Sequence, residues 1–231
     1  MWGQLADHRP RPQTEDRVSA FCNDPSVTTP GGVMGIGYKT SWLAVQDATP
    51  EDVCDALGLR QQQYMDWTSG THAAYRSGVF VIRPVPAWTI AHGRIHLPPE
   101  IDLTDPRFPA WLESMSTRLG DLQFFTSDRI GEDHAWARAE GGVLTRAYYY
   151  SGTLGDVPLH YGEPTAVERQ LGVGQRWLED GWEDWEDAEW EAWHGAMPSE
   201  RHVMDIARRW SLCPLDIVDE KVTSRGIHGF P

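Results

Sequence analysis

The chain has 231 residues, 40% hydrophobic and 23% charged, with 34 acids against 20 lysines and arginines and a net charge of −14. Such a composition suits a folded protein with a real core, while the acidity argues against nucleic acid or an anionic membrane as partner. No stretch offers the roughly 20 apolar residues of a membrane span, the first residues lack an apolar signal core, and three scattered cysteines (Cys22, Cys54, Cys213) argue against a disulfide framework or zinc site. The expected location is the cytoplasm.

In chain order, residues 1–32 are rich in Pro, Asp, Arg and Gly and read as an extended or poorly ordered N-terminal arm. Residues 33–231 read as a single α+β domain. "VMGIGYKTSWLAVQ" is long enough for one or two strands. "ATPEDVCDALGL" follows as a helix, with Thr49 at the N-cap, Pro50 at the first helical position, Asp52 closing a capping box and Gly58 stopping it. "GVFVIRPV" and "AWTIAH" predict a hairpin. "TDPRFPAWLESMSTRLG" predicts another capped helix, with a stripe of Phe108, Trp111, Leu112, Met115 and Leu119. "DLQFFTSDR", "DHAWARAE" and "VLTRAYYYSG" predict an antiparallel meander, and "VPLHYG" a further strand. Thr165 and Glu168 form a T-x-x-E capping box ended by Gly172, and "PSERHVMDIARRWSL" predicts a helix burying Val203, Ile206, Ala207 and Trp210. The expected fold is α+β, a mostly antiparallel sheet with short capped helices packed on one face.

The segments "SWLAVQDATPEDVCDALGL", "HAWARAEGGVLTRAYYYSG…GEPT" and "MDIARRWSLCP" resemble a group of uncharacterised bacterial proteins, common in actinobacteria. The resemblance covers roughly residues 41–60, 121–172 and 200–217, on motifs that are structural in character. It implies a small acidic protein of the immunity-like kind that accompanies secreted bacterial toxins. The acidic tryptophan segment and the N-terminal arm fall outside it.

That segment, "WLEDGWEDWEDAEWEAW" (177–193), is the most unusual feature of the chain. Residues 175–194 carry eight acids against Arg176 alone, half of the net charge. A helical insertion is expected over about 177–194, most safely from 182 to 193. At about 100° per residue, Trp182, Trp185, Trp190 and Trp193 share one broad face, into which Glu186 and Glu189 intrude. Two readings stand: a face packed on the sheet, or an exposed epitope of indole anchors and steering carboxylates. In the second, Trp182, Glu183, Trp185, Glu186, Glu189, Trp190 and Trp193 bind a basic partner protein, such as a toxin. Mimicry of nucleic acid by the acid run is a further possibility.

An alternative site lies on the hairpin. With Gly141–Gly142 as its turn, His134 pairs with Tyr149, Trp136 with Ala147 and Arg138 with Thr145. His134, Trp136, Arg138 and Tyr149 then line a pocket for a small molecule, in a sensor or an enzyme; a one-residue slip would change the faces. His92 and His96, with Glu100 as a third ligand, are too sparse a set to expect a metal. No G-x-S-x-G, P-loop or dinucleotide-binding motif is present. No catalytic residue and no cofactor is expected. The function expected is a non-enzymatic protein-binding module, an immunity-like inhibitor or adaptor.

Overall fold

Alternation of large apolar side chains along the strands builds a sheet with two buried faces, seen in a computed structural model that describes residues 36, 39–175, 186–217 and 221–231. These residues fall within one unit, 34–231. The expected arm over 1–32 lies outside the described residues.

The strands are β1 (Thr40–Gln46), β2 (Arg60–Met65), β3 (Val79–Val85), β4 (Trp88–Gly93), β5 (Leu122–Asp128), β6 (Asp133–Glu140), β7 (Val143–Ser151), β8 (Asp156–Tyr161) and β9 (Gly226–Phe230). Among the described residues they form a nine-stranded sheet, β2-β9-β3-β4-β1-β5-β6-β7-β8, antiparallel throughout. The helices are α1 (Pro50–Leu57), α2 (Trp67–Arg76), α3 (Arg107–Leu119), α4 (Ala166–Leu171), α5 (Asp187–Ala196) and α6 (Glu200–Trp210). The fold is therefore α+β, with the predicted hairpin β3–β4 and meander β5–β6–β7 in place.

The capped helices form where the residues direct. Both α1 and α4 carry complete capping boxes, Thr49 with Asp52 and Thr165 with Glu168, and both end on a left-handed glycine, Gly58 and Gly172. In α3 the side chain of Pro106 makes no cap bond; Asp105 instead accepts from the Arg107 backbone N–H at 2.8 Å.

Helices cover both faces, not one. Along β1, Leu43 and Val45 point to a cluster completed by α1 (Val53, Cys54, Leu57) and α3 (Phe108, Leu112, Met115). Trp42 and Ala44 point the other way, to α6 (Val203, Ile206, Ala207) and the partly buried Leu171 of α4. Helix α2 lies on that second face too, where Gly70 sits so close to Phe80 that an added Cβ would be 2.2 Å from its ring. Directly opposed residues on neighbouring antiparallel strands share a face. A row therefore runs across the second face: His228, Phe80, His92, Trp42, Phe125, Trp136, Tyr148 and His160. A sheet this apolar on both sides needs two helical layers to keep water off it.

Candidate functional site

The acidic tryptophan segment returns to the described chain at Glu186. Its helix, α5, runs from Asp187 to Ala196, later than the expected 182–193, and Trp182, Glu183 and Trp185 lie outside the described residues. The carboxylates of Glu186, Asp187, Glu189 and Glu191 belong to exposed residues, while Trp190 and Trp193 are half-buried. Glu189 is exposed and turns back on its own helix start. Its Oε2 accepts from the backbone N–H of Glu186 at 2.6 Å, which satisfies a donor at the helix start. Trp190 and Trp193 pack edge to face, 5.7 Å between ring centroids. Trp193 also faces Tyr148, Tyr150, Val157 and Met197 across a space of about 20 Å³. That is room for one water at most. So Trp193 faces the domain and Trp190 packs on it, while the four described acids are exposed. Among the described residues no lysine or arginine pairs with these four carboxylates.

The chain ahead of the segment is tied down by a buried network centred on Glu168. Its Oε2 closes the capping box on the Thr165 N–H, and its Oε1 accepts from Trp136 Nε1 at 2.7 Å and Arg146 Nε at 2.8 Å. Arg146 and Glu168 are 1% and 0% exposed. Burial of an ion pair is tolerable only when the remaining donors are satisfied. They are: the guanidinium also donates to the carbonyls of Tyr161, Gly162 and Gly174, at 2.9, 2.8 and 2.6 Å. Gly174 has no alternative, since a Cβ there would lie 2.4 Å from Glu168 Oε1. His160 donates to the same Gly174 carbonyl at 3.2 Å, and the Tyr148 hydroxyl to that of Gln175 at 3.4 Å. The described chain is thus held at Gly174 and Gln175. After α5, Met197 Sδ lies 3.6 Å from the Tyr150 hydroxyl.

The hairpin departs from the expected register. Glu140 faces Val143 and Ala139 faces Leu144 as foreseen, but a bulge at Thr145 then shifts the ladder by one. Arg138 opposes Arg146, Trp136 opposes Tyr148, and His134 opposes Tyr150. His134, Trp136 and Arg138 do share a face. Tyr149 stands on the opposite one, its hydroxyl donating to Asp133 at 3.1 Å, and burial pushes its phenol up to about 12. The face of the other three is filled by α4, α6 and Arg146, not hollow. His134 is buried with Nδ1 3.2 Å from Ser127 Oγ, and its pKa is pushed down to about 4 by burial and then by His202. Arg138 bonds Glu140 at 2.6 Å. The expected pocket set is therefore two buried residues, His134 and Trp136, a half-exposed Arg138 on the same face, and Tyr149 on the other.

His92 and His96 separate as well. His92 is fully buried beside Trp67 and Phe80, driven down to about 3 by burial and by His228. His96 lies in the following loop, 3.3 Å from Ser77 Oγ. Among the described residues no group of three potential ligands is placed to hold a metal.

One concavity escaped the sequence reading: a groove of about 430 Å³ lined by Asp47, Asp52, Asp55 and Arg118. Arg118 spends its donors on the carbonyls of Ala56 and Asp55, at 2.8 and 3.0 Å. The capping box marked Asp52, but nothing local marks the meeting of α1 with the end of α3. Among the described residues no helix is long and apolar enough to cross a membrane. No protein-family model matches the chain, no curated protein is similar to it, and no solved structure matches it, so a role has to be argued from these residues themselves.

Proposed function

We propose that the protein is a non-enzymatic binding module of the cytoplasm, an immunity-like inhibitor or adaptor that recognises a basic partner protein, such as a toxin, and not nucleic acid. One observation carries this reading. The segment with the densest charge presents Glu186, Asp187, Glu189 and Glu191 to solvent without described counter-cations, on a helix whose Trp193 faces Tyr148, Tyr150 and Val157. Exposed carboxylates of one sign steer a cationic partner and raise its association rate. Indoles half-sunk beside them offer large, stiff contact area. The hairpin pocket for a small molecule has no such support, because α4 and α6 fill its place.

The test is a capture experiment from the source cell with the full chain, at about 50 mM and again at about 500 mM salt, where screening shortens to a few ångströms. A basic protein recovered stoichiometrically at low salt and lost at high salt supports the reading. Recovery of no basic protein at low salt sinks it.

A further inference from the structure

Residues 197–199 alone separate α5 from α6, so the acidic helix stands at the start of α6. That start is capped in an unusual way. Ser199 is the N-cap, and the residue three places on, where a capping box ordinarily carries Glu or Gln, is His202. The Ser199 backbone N–H donates to His202 Nδ1 at 3.1 Å, and the Ser199 hydroxyl lies 3.2 Å from the same nitrogen. A glutamate goes on accepting such a bond down to about pH 4, and a glutamine at any pH. An imidazole accepts only while Nδ1 is bare. Once protonated it has two N–H donors and no acceptor, and it sets a positive charge at the helix end where unpaired N–H groups already gather.

The surroundings favour the neutral ring. His202 is half-buried, and burial holds it below the ordinary histidine value; Asp205 works against that and Arg201 with it. Asp205 is spent on Arg208, at 2.7 Å. From β6 comes His134, buried and tied to Ser127 Oγ at 3.2 Å, and a charge on His202 acts against one on His134. Asp128, at the end of β5, acts on His134 in the opposite sense. Glu200, next to the cap, is raised by burial and lowered by Arg129. Helix α4 meets the far end of α6, where Arg209 donates to Gln170 at 2.9 Å. Among the described residues no carboxylate forms an ion pair with the His202 ring.

We propose that His202 is a proton-sensitive latch: neutral, it holds the Ser199 amide and the start of α6 beside α5; protonated, it releases that amide and the first turn of α6 opens. The latch is closed above about pH 6.5 and opens as pH falls, because the folded state favours the neutral ring. In the full chain labelled with nitrogen-15, ring NMR at about pH 7.5 shows His202 neutral, with its proton on Nε2. Hydrogen exchange, corrected for its intrinsic pH dependence, reads the amides. Those of Ser199 and Val203 lose about tenfold or more of their protection between about pH 7.5 and about pH 5. Phe124 and Phe125, in β5 between two paired strands, keep theirs. His202→Gln retains an acceptor and stays protected at both pH values, whereas His202→Ala is unprotected at both. A proton on Nδ1 at neutral pH overturns the proposal, as does protection of the parent chain that persists in acid or of the alanine variant at neutral pH. So does a loss that the glutamine variant shares, or one that the β5 amides follow in the same step, since that is global unfolding.

Discussion

Arg146 and Glu168 bring two effects into competition at one side chain. Glu168 is both a helix cap and the counter-charge of a buried guanidinium, and the two roles differ in size. Losing a cap costs about 1 kcal/mol, whereas stripping one partner from a buried pair costs about 3–5 kcal/mol. Thr165→Ala, which removes the cap alone, is therefore expected to shift the urea midpoint modestly, and Glu168→Gln several times further. Equal shifts would show that the ion pair contributes little. The T-x-x-E spacing made the cap legible in the sequence. The pairing was not, because Arg146 reaches Glu168 only after the bulge at Thr145 turns it to that face. The buried histidines act at the same scale. His92 and His134 are held down to about 3 and about 4, chiefly by burial, so the folded state binds fewer protons than the unfolded chain below the usual histidine range. Their stabilisation is complete above about pH 6.5 and is lost as pH falls towards those values, by up to about 1.4 kcal/mol per pH unit for each. His92→Phe should flatten the fall in unfolding free energy between about pH 6 and 4 relative to the parent chain. The difference between the two chains removes the general effect of the 34 acids. Parallel curves would refute it.

At the scale of elements, local signals located what local chemistry determines. Capping boxes, terminal glycines and the two-glycine turn gave α1, α4 and the β6–β7 hairpin their places. Three elements left no such trace. In β2, "RQQQYM" shows no alternation because five of its six residues are exposed at the sheet margin. In β9, "GIHGF" has one large aliphatic residue and two glycines, and its pairing is set by strands far away in sequence. In α2, "WTSGTHAAYR" contains a glycine and threonines, poor helix formers, and the helix depends on the Asp66 cap and on packing over Phe80. That dependence can be measured. Alanine is favoured over glycine inside a helix by about 1 kcal/mol. Yet at position 70 its Cβ would enter the Phe80 ring, and overpacking of a core costs about 1–3 kcal/mol or more. Gly70→Ala is expected to destabilise the protein by a net 1–2 kcal/mol or so in denaturant unfolding. A stabilised variant would mean that α2 can lift from the sheet without loss.

Across the whole molecule, the acidic surface and the core are separable, which lets binding be tested without disturbing the fold. The expected indole face of residues 182–193 was only partly legible, since helix periodicity gives angles but not where a helix begins. The structure starts α5 at Asp187 and turns Glu189 back on the Glu186 N–H, while Trp190 and Trp193 pack on each other. Changing Glu186, Asp187, Glu189 and Glu191 together to glutamine removes four exposed charges from a chain of net −14. A glutamine at 189 keeps an oxygen that can accept from the Glu186 N–H, the other three exposed substitutions change stability by within about 0.5 kcal/mol each, and relief of like-charge repulsion offsets part of that. The thermal midpoint should therefore stay close to that of the parent chain. Association with a basic partner should behave differently, because steering acts on the encounter rate through the summed field. At about 50 mM salt the variant is expected to associate about tenfold more slowly than the parent, with the gap closing near 500 mM as screening takes over. Stopped-flow tryptophan fluorescence over that salt range measures both chains directly. Equal rates at low salt would move the recognition surface away from α5, and a variant that unfolds early would show these acids to be part of what holds the helix down.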